Sequence, residues 1–293
     1  MCGEMARPGL ADNGAGERQN QKRNWLKPMK IKKIWLVPFS PTGASKKVIA
    51  AIASGMAGIP VEELDLTYTA GARTVRFGPE EMVIVGVPVY AGRVAPLAAS
   101  RLSTLQGDHT PAVIVAIYGN RDYEDALVEL RDIVRQAGFV PLAAGAFIGE
   151  HSFSGPETPI APGRPDGPDL AAAAAFGTRI GTKLASLAGP DPACCPVLPG
   201  NVPYREGGTP LPFTPLLLEA ACTQCGTCLS ACPNEAIALQ DKIEIDVERC
   251  IFCCACIKIC PESALVIDAA PIRQIRQWLH EHCAARQEPE LFL

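Results

Sequence analysis

Cys222–Pro233 (CTQCGTCLSACP) and Cys250–Pro261 (CIFCCACIKICP) carry one spacing, C-x2-C-x2-C-x3-C-P, repeated 28 positions apart. Eight of the thirteen cysteines in the chain lie in these two segments. The match extends past cysteine, since Ala236-Ile237 after the first copy is answered by Ala264-Leu265 after the second at the same offset. Three cysteines three residues apart can wrap a short loop around a polynuclear metal centre, with backbone N–H groups turned towards it. The fourth thiolate has to come from elsewhere, because so tight a loop cannot reach the far side. Pro233 and Pro261 end each loop and turn the chain. The pattern predicts an internal repeat with a pseudo-twofold fold.

The doubled spacing resembles that of the bacterial two-cluster ferredoxins. The resemblance implies two 4Fe-4S clusters and one-electron chemistry, with the last cysteine of each copy ligating the cluster of the other. The implied ligands are Cys222, Cys225, Cys228 and Cys260 for one cluster, and Cys250, Cys253, Cys256 and Cys232 for the other. Other uses of cysteine fit less well. Zinc sites built from CxxC pairs lack the third close cysteine and the trailing Cys-Pro. A disulfide framework belongs to short secreted chains. A radical-SAM cluster would need C-x3-C-x2-C, which does not occur. Cys254, beside Cys253, reads best as a small packed residue, with an alternate ligand or a thiol near the cluster as the other readings. The repeat and its flanks are expected to form a small α+β domain over residues 216–269.

With 293 residues, the chain has room for a second domain. Its composition is that of an ordinary soluble protein: 48% hydrophobic, 20% charged, net charge −4. No apolar run approaches the ~18 residues of a membrane span. Residues 1–30 lack the apolar core of a signal peptide and read as a disordered leader. Met29 precedes a strand start, where translation could equally begin. Unexported, cluster-bearing and rich in thiols, the protein is expected to be cytoplasmic, oxygen-sensitive and of anaerobic origin.

Residues 31–188 alternate strand and helix. Lys33–Phe39, Val61–Leu66, Met82–Pro88, Ala112–Tyr118 and Phe139–Ile148 read as strands, four of them nearly continuous apolar runs. Helices are expected at Gly43–Met56, Val94–Leu105, Tyr123–Ala137 (with Gly138 at its end) and Asp169–Leu187. Buried Val/Ile runs between helices predict a five-stranded parallel sheet covered on both faces, a doubly wound α/β fold. Such sheets bind ligands beyond the C-terminal strand ends, where the strand order reverses.

Three loops leave those ends. Ser40-Pro41-Thr42-Gly43-Ala44-Ser45 feeds hydroxyls and a helix N-terminus towards the same place, which suits an anionic phosphate. It has neither the G-x-G-x-x-G of dinucleotide sites nor the G-x4-G-K-S/T of triphosphate loops. It resembles the phosphate loop of flavodoxins, S/T-x-T-G-x-S/T, and Pro41 departs from it by removing an N–H. The resemblance implies FMN, with Ser40, Thr42, Gly43, Ala44 and Ser45 around its phosphate. Pro88, Tyr90 and Gly92 in the second loop, and Gly119, Asn120, Arg121 and Tyr123 in the third, would then flank the ring. Flavodoxin-like first and ferredoxin-like second, the chain resembles the flavodoxin–ferredoxin fusion family of anaerobic prokaryotes. YGNRDYEDAL (118–127) and PIAPGRPDGPDL (159–170) look like that family's segments.

Arg121 is expected either to raise the flavin potential or to pair on the surface with Asp122 or Asp125. The Pro- and Gly-rich stretch Glu150–Pro168 reads as a lid, beginning with His151 and Ser152. Residues 189–215 read as a semi-stiff linker, Ala188–Thr214 holding seven prolines, four glycines and the vicinal pair Cys194-Cys195. A C-terminal helix is expected over Pro271–Ala285, within a tail of residues 270–293. Eight acidic residues against Lys242, Arg249 and Lys258 give Leu216–Asp268 a charge of −5, which favours basic redox partner proteins over nucleic acid. A homodimer is compatible with the sequence. The expected function is electron relay between donor and acceptor proteins. The alternatives are a flavin-dependent reductase of a small acceptor, such as a quinone or nitro compound, and a redox sensor acting through Cys194 and Cys195.

Overall fold

Residues 29–68, 74–208 and 212–293 are described by the computed structural model. Residues 1–28 of the expected leader (1–30), Cys2 among them, lie outside the described residues. The first unit runs β1 (Lys33–Pro38), α1 (Ala44–Ser54), β2 (Val61–Glu63), β3 (Val75–Phe77) and β4 (Glu81–Tyr90). It continues with β5 (Arg93–Val94), α2 (Pro96–Leu102), β6 (Leu105–Gly107), β7 (Thr110–Tyr118), α3 (Ala126–Gln136), β8 (Phe139–Ile148) and α4 (Gly167–Ser186).

β2, β1, β4, β7 and β8 are neighbours in that order and all parallel. Numbered among themselves, they run 2-1-3-4-5, the flavodoxin-like winding, with its switch point between β1 and β4. Side-chain alternation builds two cores. Val37, Val83, Val85, Ile114 and Ala116 face Ala98, Leu102, Leu127 and Leu130 of α2 and α3. Ile34, Leu36, Ile84, Val113 and Val115 face Val48, Ile52, Phe176 and Ile180 of α1 and α4. Both sheet faces are therefore dry, which explains why the strands read as continuous apolar runs. α1 and α4 approach so closely that a Cβ on Gly177 would lie 1.9 Å from the Ile52 carbonyl oxygen.

The second unit contains β9 (Leu216–Leu217), α5 (Thr227–Ser230), β10 (Ile237–Leu239), β11 (Ile243–Ile245), α6 (Ala255–Ile259) and β12 (Leu265–Val266). β9 pairs with β12 and β10 with β11, both antiparallel, over a small core of Cys228, Ile237, Ile243, Cys256 and Leu265. α7 (Ala270–His282) and β13 (Glu290–Phe292) follow.

Two expectations are corrected. The sheet has more than five strands, because β13 returns from the tail and pairs antiparallel with β8, Leu291 opposite Gly145. The segment 189–215 is no free spacer where it is described. The buried Asp125 carboxylate accepts from the Asn201 and Arg205 N–H groups, each at 2.7 Å, and from Asn201 Nδ2 at 2.8 Å. Tyr204 donates to Asp132 and lies under Arg93, whose guanidinium is 4.7 Å from the ring. Among the described residues, no helix is long and apolar enough to cross a membrane.

Candidate redox centre

The eight repeat cysteines line two chambers, and they do so in crossed sets. Cys222, Cys225, Cys228 and Cys260 surround about 350 Å³ of open space, walled by Leu217, Ile243 and Leu265. Cys232, Cys250, Cys253 and Cys256 surround about 330 Å³, walled by Ile237, Ile245 and Phe252, and Cys254 joins that wall. The last cysteine of each copy thus sits with the first three of the other. Among the described residues, no three His, Cys, Asp or Glu side chains converge as they would on a single ion.

The backbone repeats with the cysteines. Left-handed conformations occur at Gln224 and Phe252, at Gly226 and Cys254, and at Glu235 and Ser263. Each pair is one repeat length apart. Such turns direct successive N–H groups into a concavity suited to negative charge. The conserved offset of alanine also gains a cause, for Ala236 N–H donates to Cys232 Sγ at 3.2 Å and Ala264 N–H to Cys260 Sγ at 3.3 Å. These bonds hold the two crossing sulfurs. Burial pushes the Cys253 and Cys256 thiols up to about 12, whereas the Thr227 hydroxyl beside Cys225 lowers that exposed thiol. Thiolate ligation in the inner chamber therefore needs a strongly bound metal centre to offset desolvation.

At the strand ends of the first unit, Gly43 takes φ 85° and opens α1. The Ser40 hydroxyl accepts from Lys46 N–H at 3.1 Å, and Ser40 N–H donates to the Thr67 hydroxyl at 2.8 Å. The N–H groups of Thr42, Ala44 and Ser45 carry no partner among the described residues, and the space over Gly43 is open. Three unpartnered donors at a helix N-terminus suit the charge of a phosphate.

The other two loops are joined, Asp125 N–H donating to the Gly92 carbonyl at 3.0 Å. Tyr90 faces the second unit; burial raises its phenol well above the ordinary value, and the nearby Cys253, Cys254 and Cys250 add to the effect. The remaining expected ring residues have other partners. A Cβ on Gly119 would lie 2.3 Å from the His151 ring, which covers that glycine. Asn120 is buried and donates to the Cys283 and Ala285 carbonyls at 2.6 and 2.8 Å. Tyr123 donates to Glu290 at 2.8 Å. Arg121 pairs with Glu124 at 2.7 Å, a surface pair with a different carboxylate from either one expected. His151 stands in the segment after β8, and burial lowers its pKa to about 4.

The inner chamber, and not the outer one, abuts the switch point. Phe252, between two of its cysteines, meets Phe153. Lys258 pairs with Glu150 at 2.7 Å. Arg101 on α2 donates to the carbonyls of Leu66, Thr67 and Pro233 at 2.7, 2.6 and 2.6 Å. None of Arg101, Phe153 and Phe252 carries a sequence signal, because each also reaches a partner in the other unit.

Residues 214–261 match the family described as a 4Fe-4S dicluster domain. The match supports an iron–sulfur domain in this segment. No curated protein matches the chain. Among solved structures, an archaeal flavodoxin is 15% identical with a TM-score of 0.35, covering 52% of this chain and 98% of its own. A Streptococcus pneumoniae flavodoxin is 14% identical (TM-score 0.36, 52% and 99% coverage). The NAD(P)H:quinone oxidoreductase of Methanothermobacter marburgensis is 12% identical (TM-score 0.30, 53% and 99%). Overlaps this loose carry no argument, and the winding of the first unit rests on its strand order.

Proposed function

We propose that this chain is an electron-transfer iron–sulfur flavoprotein, relaying electrons between redox partner proteins through two 4Fe-4S clusters and FMN. The observation that carries the reading is the apposition of the inner cysteine chamber and Tyr90 at the switch point of a 2-1-3-4-5 sheet. Cys222, Cys225, Cys228 and Cys260 would hold the outer cluster, and Cys232, Cys250, Cys253 and Cys256 the inner one. Ser40, Thr42, Gly43, Ala44 and Ser45 would hold the phosphate of FMN. Clusters supply one-electron exchange, and a flavin supplies the conversion between one- and two-electron carriers.

Exposed Cys225 makes the outer chamber the face offered to protein partners, while Cys253 and Cys256 are buried. Relay is favoured over reduction of a small acceptor. Tyr90, in the second strand-end loop, is turned to the cluster unit, and His151 covers Gly119 in the third. Seating a ring against Gly119 requires the segment that starts at Glu150 to lift.

Anaerobic purification with iron, sulfide and flavin assays tests the proposal. About eight irons, eight sulfides and one FMN per chain are expected. Material with iron but no flavin, which also fails to bind added FMN, would reduce the reading to a two-cluster carrier. Material without iron would end it.

A further inference from the structure

We infer that Arg101 is a positioning residue for the inner cluster, its positive charge setting that cluster's potential above that of the outer one. The inference rests on the reading that Cys232, Cys250, Cys253 and Cys256 ligate a cluster.

Arg101 belongs to the flavodoxin-like unit, yet its Nη2 donates to the carbonyl of Pro233, the residue after crossing ligand Cys232. Its Nη1 is held by the Leu66 and Thr67 carbonyls, and its guanidinium lies 5.7 Å from the Phe39 ring centre. The charge is thus fixed at the unit boundary by four groups, three of them carbonyls.

What sets Arg101 apart is the lack of a carboxylate. Around the cluster unit, Lys258 pairs with Glu150, Arg249 with Glu235 and Lys242 with Glu219. Among the described residues Arg101 makes no ion pair, although it is partly buried. Burial disfavours its charged form, and Glu235 and Asp65 offset this only from a distance. A half-buried cation satisfied by neutral carbonyls lacks a counter-charge. A cysteine-ligated cubane, which is an anion and gains one more negative charge on reduction, supplies it. A fixed cation beside the more negative state raises the potential. Lys242, next in sequence to Ile243 of the outer chamber wall, is already paired with Glu219. The two chambers are therefore electrostatically unequal although their ligand loops repeat, and the inner cluster becomes the easier one to reduce.

A structural clamp would make the same hydrogen bonds without needing the charge. The two roles separate in a redox titration of the full chain, followed by electron paramagnetic resonance, on wild type, Arg101→Gln and Arg101→Lys. Cys225→Ser identifies the outer centre as the one it perturbs. The expected result is that Arg101→Gln lowers the inner midpoint by at least a tenfold change in the reduced-to-oxidised ratio, about 59 mV for one electron. Arg101→Lys should keep at least half of that difference, and the outer midpoint should stay in place in both. Unmoved midpoints in Arg101→Gln overturn the inference. Equal falls in the Gln and Lys variants overturn it too, since the fork and not the charge would then matter. Iron and sulfide are assayed on the same samples. Loss of iron in both variants, with wild type loaded, makes Arg101 a clamp and overturns the charge role. A wild type without iron overturns the cluster reading itself, and the inference with it.

Discussion

Phe153, in the segment that leaves β8, meets Phe252 of the second cysteine loop edge-on, with ring centroids 5.5 Å apart. His151 stands on the other side of Phe153 at 5.0 Å, so three aromatic rings run from Gly119 to the inner cysteine chamber. The row couples the covering segment of one unit to the cluster loop of the other. An aromatic pair of this geometry contributes about 0.5–1.5 kcal/mol beyond its buried area. A double-mutant cycle with Phe153→Ala and Phe252→Leu, read by urea unfolding, should return a coupling of that size. A coupling near zero would mean that this aromatic pair adds nothing beyond its buried area.

Cys254 sits in the left-handed region at φ 60°, where its repeat partner is Gly226 at φ 77°. Its thiol donates weakly to the Phe252 carbonyl at 3.6 Å and is almost fully buried. A glycine suits that backbone without strain, and the loss of a small buried side chain works against the gain. Cys254→Gly should therefore change stability by no more than about 1 kcal/mol and leave iron and sulfide per chain intact. Cys253→Ser should lose iron. If Cys254→Gly loses as much, Cys254 is a ligand.

His151 makes the fold sensitive to mild acid. Burial holds its pKa at about 4, below the ordinary value of 6.5, with Lys258 and Arg121 adding to the effect. Between those two values the unfolded chain binds a proton that the native chain does not, so stability falls as pH drops through the window. The contribution is fully present at neutral pH, and its loss reaches up to about 3 kcal/mol near pH 4. Urea unfolding at pH 7 and pH 5 should show the slope in wild type and a flatter one in His151→Gln. An equally steep slope in the variant assigns the effect to the carboxylates.

The extent to which the sequence reveals this architecture follows from how local each signal is. Ligand spacing is local, so the eight cysteines are legible in the sequence, whereas their crossed sets come only from the resemblance to the two-cluster ferredoxins. Strand order is legible only through winding rules, yet the buried runs at Met82–Pro88 and Ala112–Tyr118 leave few alternatives. The third strand-end loop misleads for a physical reason. Asn120 and Tyr123 look free to meet a ring, but their partners in the tail lie 163 and 167 positions away. β13 is three residues long with no periodicity to mark it. Arg101 sits in the last turn of a short helix, where an arginine ordinarily reads as a solvated end.

The phosphate loop supplies the direct check on the flavin. Gly43 combines φ 85° with open space, so a side chain there strains the backbone and also enters the region its free N–H neighbours face. Gly43→Ala should cost about 1 kcal/mol of stability and weaken FMN binding, measured by quenching of flavin fluorescence. His151→Ala should act the opposite way, removing the ring that covers Gly119 and speeding association. If neither changes the titration, the flavin does not sit between these loops.

The tail closes the molecule and should be separable from cluster assembly. Leu291 packs against one core and Phe292 against the other, so β13 covers the β8 edge and both layers behind it. Two bonds to the segment before β13 extend the hold: Arg164 donates to the Gln287 carbonyl, and Arg286 donates to Asp166. Deleting residues 286–293 uncovers two apolar side chains, each worth about 1.5–3 kcal/mol when fully buried, and leaves a sheet edge unpaired. Both side chains are only partly buried, so a loss at the low end of the combined range is expected. The eight chamber cysteines all lie within residues 214–261 and should keep their iron. Hydrogen exchange should accelerate along β8 and around Asn120 while the cluster loops remain protected. Exchange that rises in the cluster loops to the same degree would show that the tail holds the second unit in place as well as the sheet edge.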